Sequence, residues 1–160
     1  MAKPDSLHNN GLPIPGSDGV VAALGDFNGD GVLDVAFGTA FQDLGNVTVA
    51  YGRGDGTFYI QSVMNGTQTL GTSASTTGMV VADFNGDGLA DIVVMLEGTL
   101  HILLYTNDGK GGFQTSYIAA GTSPRAIVSA DFKKESKTDL AILGFQPAVP
   151  PCDAVILFSQ

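Results

Sequence analysis

A short apolar run that ends in an Asp-Phe pair occurs three times, and this repeat constrains the fold more than any other feature. The three copies cover residues 21–27, 79–84 and 127–132. Their acids Asp26, Asp83 and Asp131 are separated by 57 and 48 residues (83 − 26 and 131 − 83). Periods of about 40 to 50 residues are typical of units that form one small antiparallel sheet, such as a β-propeller blade. We therefore predict three structural repeats.

Each unit is predicted to contain only strands, because its apolar runs are short, rich in β-branched residues and bounded by turn residues. The first strand of a unit ends at the Asp-Phe pair. Second strands are predicted at 34–37, 91–95 and 139–143, third strands from Val47, Leu100 and Ala154, and fourth strands from Phe58 and Phe113. Asp-Gly steps before the fourth strands supply the positive φ that tight hairpins require. The sequence thus predicts an all-β fold of β-propeller blades with four antiparallel strands each.

The repeat also predicts the domain boundaries. Residues 1–15 form an N-terminal segment, followed by blade 1 at 16–67, blade 2 at 68–122 and blade 3 at 123–160. Blade 3 is expected to lack its fourth strand, and the N-terminal segment is a candidate blade-closing strand, since proline is tolerated on edge strands. Open sheet faces and an unpaired edge favour association. We predict a partial propeller completed by homo-oligomerisation, with a dimer of six blades favoured.

Two nine-residue loops, residues 26–34 and 83–91, place oxygen-bearing side chains at positions 1, 3, 5 and 9 and glycine at position 6. This spacing is that of the first part of the EF-hand loop, where Ca²⁺ takes six to eight oxygen ligands. Position 7 would contribute its backbone carbonyl. The predicted ligands are Asp26, Asn28, Asp30, Val32 and Asp34 in one loop, and Asp83, Asn85, Asp87, Leu89 and Asp91 in the other. We predict two calcium sites per chain, the alternative being that these residues serve only as turn formers.

The third loop, residues 131–139, keeps the first and last acids but has Lys133 at position 3 and Ser136 at position 6. No metal is predicted there, because two ligand positions are lost, and lysine could balance the acidic charge instead. The phenylalanine after the first acid of each loop is predicted to pack between blades. These residues are Phe27, Phe84 and Phe132.

The excess of acidic over basic residues limits the kinds of partner that the chain can bind. Its 160 residues suffice for one domain with a sizeable core, and they carry 16 Asp and Glu against seven Lys and Arg, a net charge of −9. Seven of those acids lie in the two loops and in the turn at Asp55. So few basic residues cannot neutralise many phosphates, which argues against nucleic acid and anionic membranes. No apolar run is long enough for membrane insertion, and the single cysteine, Cys152, excludes an intrachain disulfide.

The Asp-Phe-Asn-Gly-Asp-Gly-x-x-Asp loops, their apolar flanks and the Gly-Asp-Gly-Thr-Phe turn at residues 54–58 resemble the FG-GAP/VCBS repeat family. The resemblance covers roughly residues 16–160. It implies propeller blades like those of integrin α subunits, calcium in the blade loops, roles that include cell adhesion, and a secreted, periplasmic or cell-surface location. The chain departs from the family in having only three units and a degenerate third loop.

We therefore expect a calcium-binding, non-enzymatic propeller module that acts as a scaffold or binds a protein or glycan. Two alternatives stay open: part of a carbohydrate-active propeller enzyme resembling a polysaccharide lyase, or a self-assembling fragment with no ligand beyond calcium. No catalytic residue is predicted, since His8 and His101 are far apart and general acid–base chemistry needs clustered groups. The tripeptide Arg53-Gly54-Asp55 is interpreted as a structural turn.

Overall fold

The computed structural model of the chain describes residues 20–39, 47–64, 76–96, 98–120, 123–134, 138–145 and 153–157. These residues form eleven β-strands and no helix, which confirms the predicted all-β class. It follows that none of the described residues belongs to a helix able to cross a membrane. The predicted closing strand in residues 1–15, His8 and Cys152 lie outside the described residues.

The strands form three antiparallel sheets, each from a continuous part of the chain. The first sheet contains β1 (Val20–Gly25), β2 (Asp34–Thr39), β3 (Val47–Gly52) and β4 (Phe58–Met64). The second contains β5 (Thr76–Ala82), β6 (Asp91–Leu96), β7 (His101–Asn107) and β8 (Phe113–Ala119). The third contains β9 (Ser123–Ala130), β10 (Asp139–Phe145) and β11 (Asp153–Leu157). Within every sheet, strands that follow one another in sequence are hydrogen-bonded neighbours.

The second strand of each sheet begins at the acid predicted to start it, because that acid closes the loop joining the first two strands. β4 and β8 likewise begin at the predicted phenylalanines. Of the third strands, β3 begins at the predicted Val47, whereas β7 starts at His101 and β11 at Asp153, each one residue from the prediction. Each sheet therefore has the up-and-down strand order of a propeller blade.

The three sheets stack in sequence order through their first strands, with β1 against β5 and β5 against β9. We call the face of a sheet that points toward the preceding sheet its rear face, and the opposite face its forward face. β6 is buried along its whole length because it lies between two neighbours. Ile92 and Val94 pack toward the first sheet, while Val93 packs toward the third. The continuous apolar sequence of this strand reflects burial on both faces.

The first and second sheets approach each other closely at two positions where the first sheet has glycine. A Cβ atom on Gly25 would lie 2.8 Å from the Val81 Cγ1 atom, and one on Gly38 would lie 2.8 Å from the Thr76 Cγ2 atom. Real Cβ atoms do not approach other heavy atoms this closely. Glycine at these two positions therefore sets the spacing between the sheets.

The three loop phenylalanines differ in burial. Phe27 is buried and contacts Phe113 of the second sheet edge-on, with ring centroids 6.2 Å apart. Phe84 packs against the apolar cluster between the second and third sheets. Phe132 is 45% exposed, so the prediction that it packs between blades is wrong. The described residues include no sheet beyond the third that could cover it.

The loops between first and second strands share one backbone feature. The residue at position 4 has a left-handed conformation in all three, with φ of 75° at Gly29, 80° at Gly86 and 59° at Lys134. Glycine adopts this conformation without strain, whereas an L-residue with a Cβ atom does not. In its described part, the third loop therefore keeps the left-handed position 4 of the other two at a conformational cost.

Replacing Lys134 by glycine is expected to raise the free energy of unfolding by up to about 1 kcal/mol, because the left-handed strain is removed. Urea unfolding followed by circular dichroism would measure the change. The matched control is Lys133→Gly, which removes the same charge at a residue without positive φ and should cost roughly 0.5–1 kcal/mol. Equal losses in both variants would contradict the assigned strain.

Candidate metal centre

The residues predicted to bind calcium lie in two equivalent hairpin loops. Loop 1 (residues 26–34) joins β1 to β2, and loop 2 (residues 83–91) joins β5 to β6. Loop 3 (residues 131–139) joins β9 to β10, and its residues 135–137 lie outside the described residues. Since the sheets stack with equivalent strands in contact, the sequence repeat becomes a spatial repeat.

The first acid of each loop organises the loop backbone. In loop 1, the Asp26 Oδ1 atom accepts a hydrogen bond from the Gly29 N–H at 2.7 Å, and its Oδ2 atom accepts one from the Gly31 N–H at 2.8 Å. Asp83 makes the same two bonds in loop 2, at 2.6 and 2.8 Å. One carboxylate thus holds two backbone N–H groups of a tight turn.

The side chains at positions 3 and 5 continue this pattern. The Asn28 Oδ1 atom accepts from the Asp30 N–H at 3.0 Å, and the Asp30 Oδ1 atom accepts from the Val32 N–H at 2.7 Å. The Asn28 Nδ2 atom donates to the Asp30 Oδ2 atom at 2.9 Å. Loop 2 repeats the three bonds at 2.9, 2.8 and 2.8 Å. Both side chains are exposed, so their remaining lone pairs face solvent.

The ninth-position acid has a different environment, because it lies beneath the loop. Asp34, Asp91 and Asp139 are at most 2% exposed. Each accepts a hydrogen bond from the N–H of the phenylalanine that follows the first acid, at 2.8, 3.0 and 3.1 Å. In the first two sheets the other carboxylate oxygen accepts from the last residue of the third strand, Gly52 N–H at 2.8 Å and Asn107 N–H at 2.9 Å. In the first two sheets this acid therefore joins the loop to the second and third strands, and in loop 3, where no metal is predicted, it keeps the bond to the loop backbone.

The electrostatics of loop 2 favour a cation. Burial raises the pKa of Asp91, and the negative charges of Asp87 and Asp83 raise it further, while hydrogen bonds from the Asn107 and Phe84 N–H groups oppose the shift. The ionised form of Asp91 is therefore disfavoured relative to an exposed aspartate. A divalent cation held at the loop would reverse the repulsive contribution.

The donor chemistry of the loops fits a calcium ion, since carboxylate, amide and carbonyl oxygens are the ligands that Ca²⁺ takes. The structure brings Asp26, Asn28 and Asp30 into one short hydrogen-bonded loop with Val32. The structure places the ninth-position acids Asp34 and Asp91 below the loops, where their carboxylates accept hydrogen bonds from backbone N–H groups. Among the described residues, no three His, Cys, Asp or Glu side chains converge closely enough to share a metal ion.

Asn107 links the two loops, and sequence reasoning missed it. This residue is 2% exposed, and its Nδ2 atom donates to the Phe27 carbonyl of loop 1 at 2.8 Å and to the Ala90 carbonyl of loop 2 at 3.2 Å. Its own N–H donates to Asp91, as described above. The sequence feature that could have indicated this role is an asparagine at the last position of β7, a largely apolar strand. Its counterpart in the first sheet is Gly52, which has no side chain to make such a link.

The Arg53-Gly54-Asp55 tripeptide lies in the exposed turn between β3 and β4. The Asp55 Oδ1 atom accepts from the Thr57 hydroxyl at 2.7 Å and from the Thr57 N–H at 2.9 Å, and these bonds lower the pKa of Asp55. The Arg53 guanidinium carbon lies 5.2 Å from the centroid of the Tyr59 ring. Both charged side chains of the tripeptide thus have partners within the hairpin, in keeping with its interpretation as a structural turn.

Replacing Asn107 by alanine is expected to lower the free energy of unfolding by about 1–3 kcal/mol, since it removes the donor to two carbonyls at a buried position. Chemical denaturation without added metal would measure the loss. Gln114→Ala, on the exposed face of β8, is the control and should stay within about 0.5 kcal/mol of wild type. Two variants of equal stability would show that the Asn107 bonds add nothing.

Comparisons with known proteins agree with this geometry. A family model described as an FG-GAP-like repeat matches residues 26–94, which include loops 1 and 2. A lectin from Agrocybe aegerita, whose structure is titled as the basis of specific recognition of non-reducing terminal N-acetylglucosamine, is similar with a TM-score of 0.60 and 21% identity. The match covers 88% of this chain but only 35% of that chain, and at this identity it shows the fold alone. The predicted recognition of the FG-GAP repeat is confirmed for residues 26–94, which match the model of this repeat.

Proposed function

We propose that this chain is a non-enzymatic, calcium-stabilised β-propeller-like module that binds a glycan. The observation that carries the calcium proposal is the repetition, in loops 1 and 2, of an oxygen-rich turn with the same hydrogen bonds at each position. The family match supports it. The similarity of fold to a lectin supports a glycan ligand over a protein ligand.

In this proposal, the side chains at positions 1, 3 and 5 and the carbonyl at position 7 hold the ion. These are Asp26, Asn28, Asp30 and Val32 in loop 1 and Asp83, Asn85, Asp87 and Leu89 in loop 2. Asp34 and Asp91 would complete each site from below once the ion draws the acids at positions 1 and 5 toward them, and they can keep their backbone bonds, since a carboxylate has about four lone-pair positions. The bound ion would supply positive charge that offsets carboxylate repulsion, so its role is structural.

Calcium is expected to raise the melting temperature of the protein and a chelator to lower it. At a hundredfold excess over Kd, each site contributes about 2.7 kcal/mol. The double variant Asp30→Asn, Asp87→Asn keeps the side-chain oxygen that accepts the backbone N–H but removes one charge per loop, so it should lose most of the response. Thermal unfolding with calcium and with chelator, together with calorimetric stoichiometry, would measure this.

Asp55→Asn is the matched control for calcium, because it makes the same change in an exposed acid-glycine turn outside both loops. This variant should keep the full response to calcium. If calcium leaves the wild-type melting temperature unchanged, the calcium proposal is wrong.

Binding of a glycan with terminal N-acetylglucosamine is the second expectation. Calorimetric titration with such an oligosaccharide should give saturable binding, and the same oligosaccharide capped by galactose should bind at least tenfold more weakly. A glycan array would extend the comparison to other terminal sugars. An array without any bound glycan would contradict the lectin-like role while leaving the calcium proposal standing.

The absence of enzymatic activity, the secreted, periplasmic or cell-surface location, the adhesive role and the homo-oligomer stay predictions. The polysaccharide lyase-like alternative has no support from a specific contact among the described residues.

A further inference from the structure

Asn107 lies where the first and second sheets meet, between loop 1 and loop 2. It is the last residue of β7, and because side chains alternate along a strand it shares the rear face of the second sheet with Leu103 and Tyr105. Those two side chains are buried in the apolar cluster between the sheets. Asn107 is similarly buried, but it directs a polar amide at the backbone of both loops.

Every polar atom of this amide has a partner, and the partners fix its orientation. The Nδ2 atom donates to the Phe27 carbonyl at 2.8 Å and to the Ala90 carbonyl at 3.2 Å. The Oδ1 atom accepts from the Gly109 N–H at 2.9 Å. A rotation of the amide by 180° would place an oxygen against two carbonyl oxygens and an amino group against an N–H, so a single orientation is compatible with these neighbours.

On the side of loop 1, the amide holds a residue that orders two of the candidate ligands. The Phe27 carbonyl, which accepts from Asn107, belongs to the peptide unit that continues into Asn28, the residue at position 3. The Phe27 N–H donates to Asp34, the residue at position 9. A shift of the Asn107 amide would therefore displace positions 3 and 9 of loop 1 together.

On the side of loop 2, the same residue holds the end of the loop. The Ala90 carbonyl accepts from the Asn107 side chain, and the Asp91 Oδ1 atom accepts from the Asn107 N–H at 2.9 Å. A continuous path of hydrogen bonds and covalent bonds thus joins the two ninth-position acids, Asp34 and Asp91. The path runs through Phe27 and Asn107 and crosses from one sheet to the next.

We propose that Asn107 is a positioning residue that couples the two loops, so that calcium occupancy of either loop raises the calcium affinity of the other. The inference rests on the proposed calcium function and adds to it a dependence between the two sites. In the occupied loop 2, Ala90 and Asp91 are held in place, and the Asn107 amide is ordered with them. The amide then holds Phe27 at a lower entropic cost, so loop 1 is arranged before it binds. Linkage requires the same factor in the opposite direction.

Calorimetric titration with calcium chloride measures the coupling. Asp87→Asn leaves loop 1 as the site to be titrated, Asp30→Asn leaves loop 2, and the wild type binds at both. For independent loops, the product of the two wild-type association constants equals the product of the two single-loop constants. Coupling predicts that the wild-type product is larger, by at least about fivefold.

Asn107→Ala, introduced into the same three proteins, should bring this ratio back to one, because the link between the loops is removed. A merely structural role of Asn107 would lower stability and leave the ratio unchanged. Ile142→Val is the matched control, since it alters a buried side chain of the third sheet outside both loops. This variant should keep the wild-type ratio, and circular dichroism would show that each variant is folded.

A second measurement keeps Asn107 intact. In the Asp30→Asn variant, calcium added to loop 2 should shift the nuclear magnetic resonance signals of the Asn107 side-chain amide and of the Asn28 backbone amide in loop 1. Unshifted signals during saturable binding would overturn the proposal.

The outcomes separate the coupling from the calcium proposal on which it rests. A wild-type ratio of one or less would overturn the coupling, as would a larger ratio that survives Asn107→Ala. In both cases calcium binds, so the calcium proposal stands. A wild type that binds no calcium would contradict the calcium proposal, and the coupling with it.

Discussion

The buried ninth-position acid is the interaction on which the rest of each sheet depends. Its carboxylate accepts a hydrogen bond from the N–H of the phenylalanine at position 2 of the loop, and in the first two sheets also one from the last residue of the third strand. A buried carboxylate must be hydrogen-bonded to be tolerated, and here one partner lies in the loop and the other ends the third strand. The loop, the hairpin and the far strand are therefore fixed together at one end of the sheet.

This arrangement explains how the described part of loop 3 keeps two features of the other loops without the acidic pattern. Asp139 keeps the bond to the Phe132 N–H, and Lys134 keeps the left-handed turn. The hairpin therefore depends on the buried acid and on the backbone turn more than on the oxygen atoms that line the loop. In the proposed function, metal binding and hairpin formation are separable roles of the same nine residues, and loops 1 and 2 would combine them.

The sequence predicted the strands well because the loop acids mark where strands begin. β2, β6 and β10 start at the predicted residue, since the acid that starts each strand also closes the preceding loop. Local pattern could not reveal the bonds of Asn107, which join groups 80 residues apart in the sequence. It also could not foresee the exposure of Phe132, because burial there depends on a neighbouring surface and not on the residue. For Asp34 and Asp91, the spacing suggested metal ligands and gave no sign of the backbone bonds beneath.

The glycines between the first and second sheets have a consequence for how stacked sheets curve. At Gly25 and Gly38 the backbone of the first sheet comes within contact distance of side chains on β5, so the two sheets converge at their first strands. Both pairs of consecutive sheets are in contact through their first strands, and contact concentrated along one edge curves a row of sheets into an arc around that edge. The wedge angle set by these small residues would then determine how many sheets make a full turn. A single methyl group added at either position would open the wedge and change the circumference of the arc.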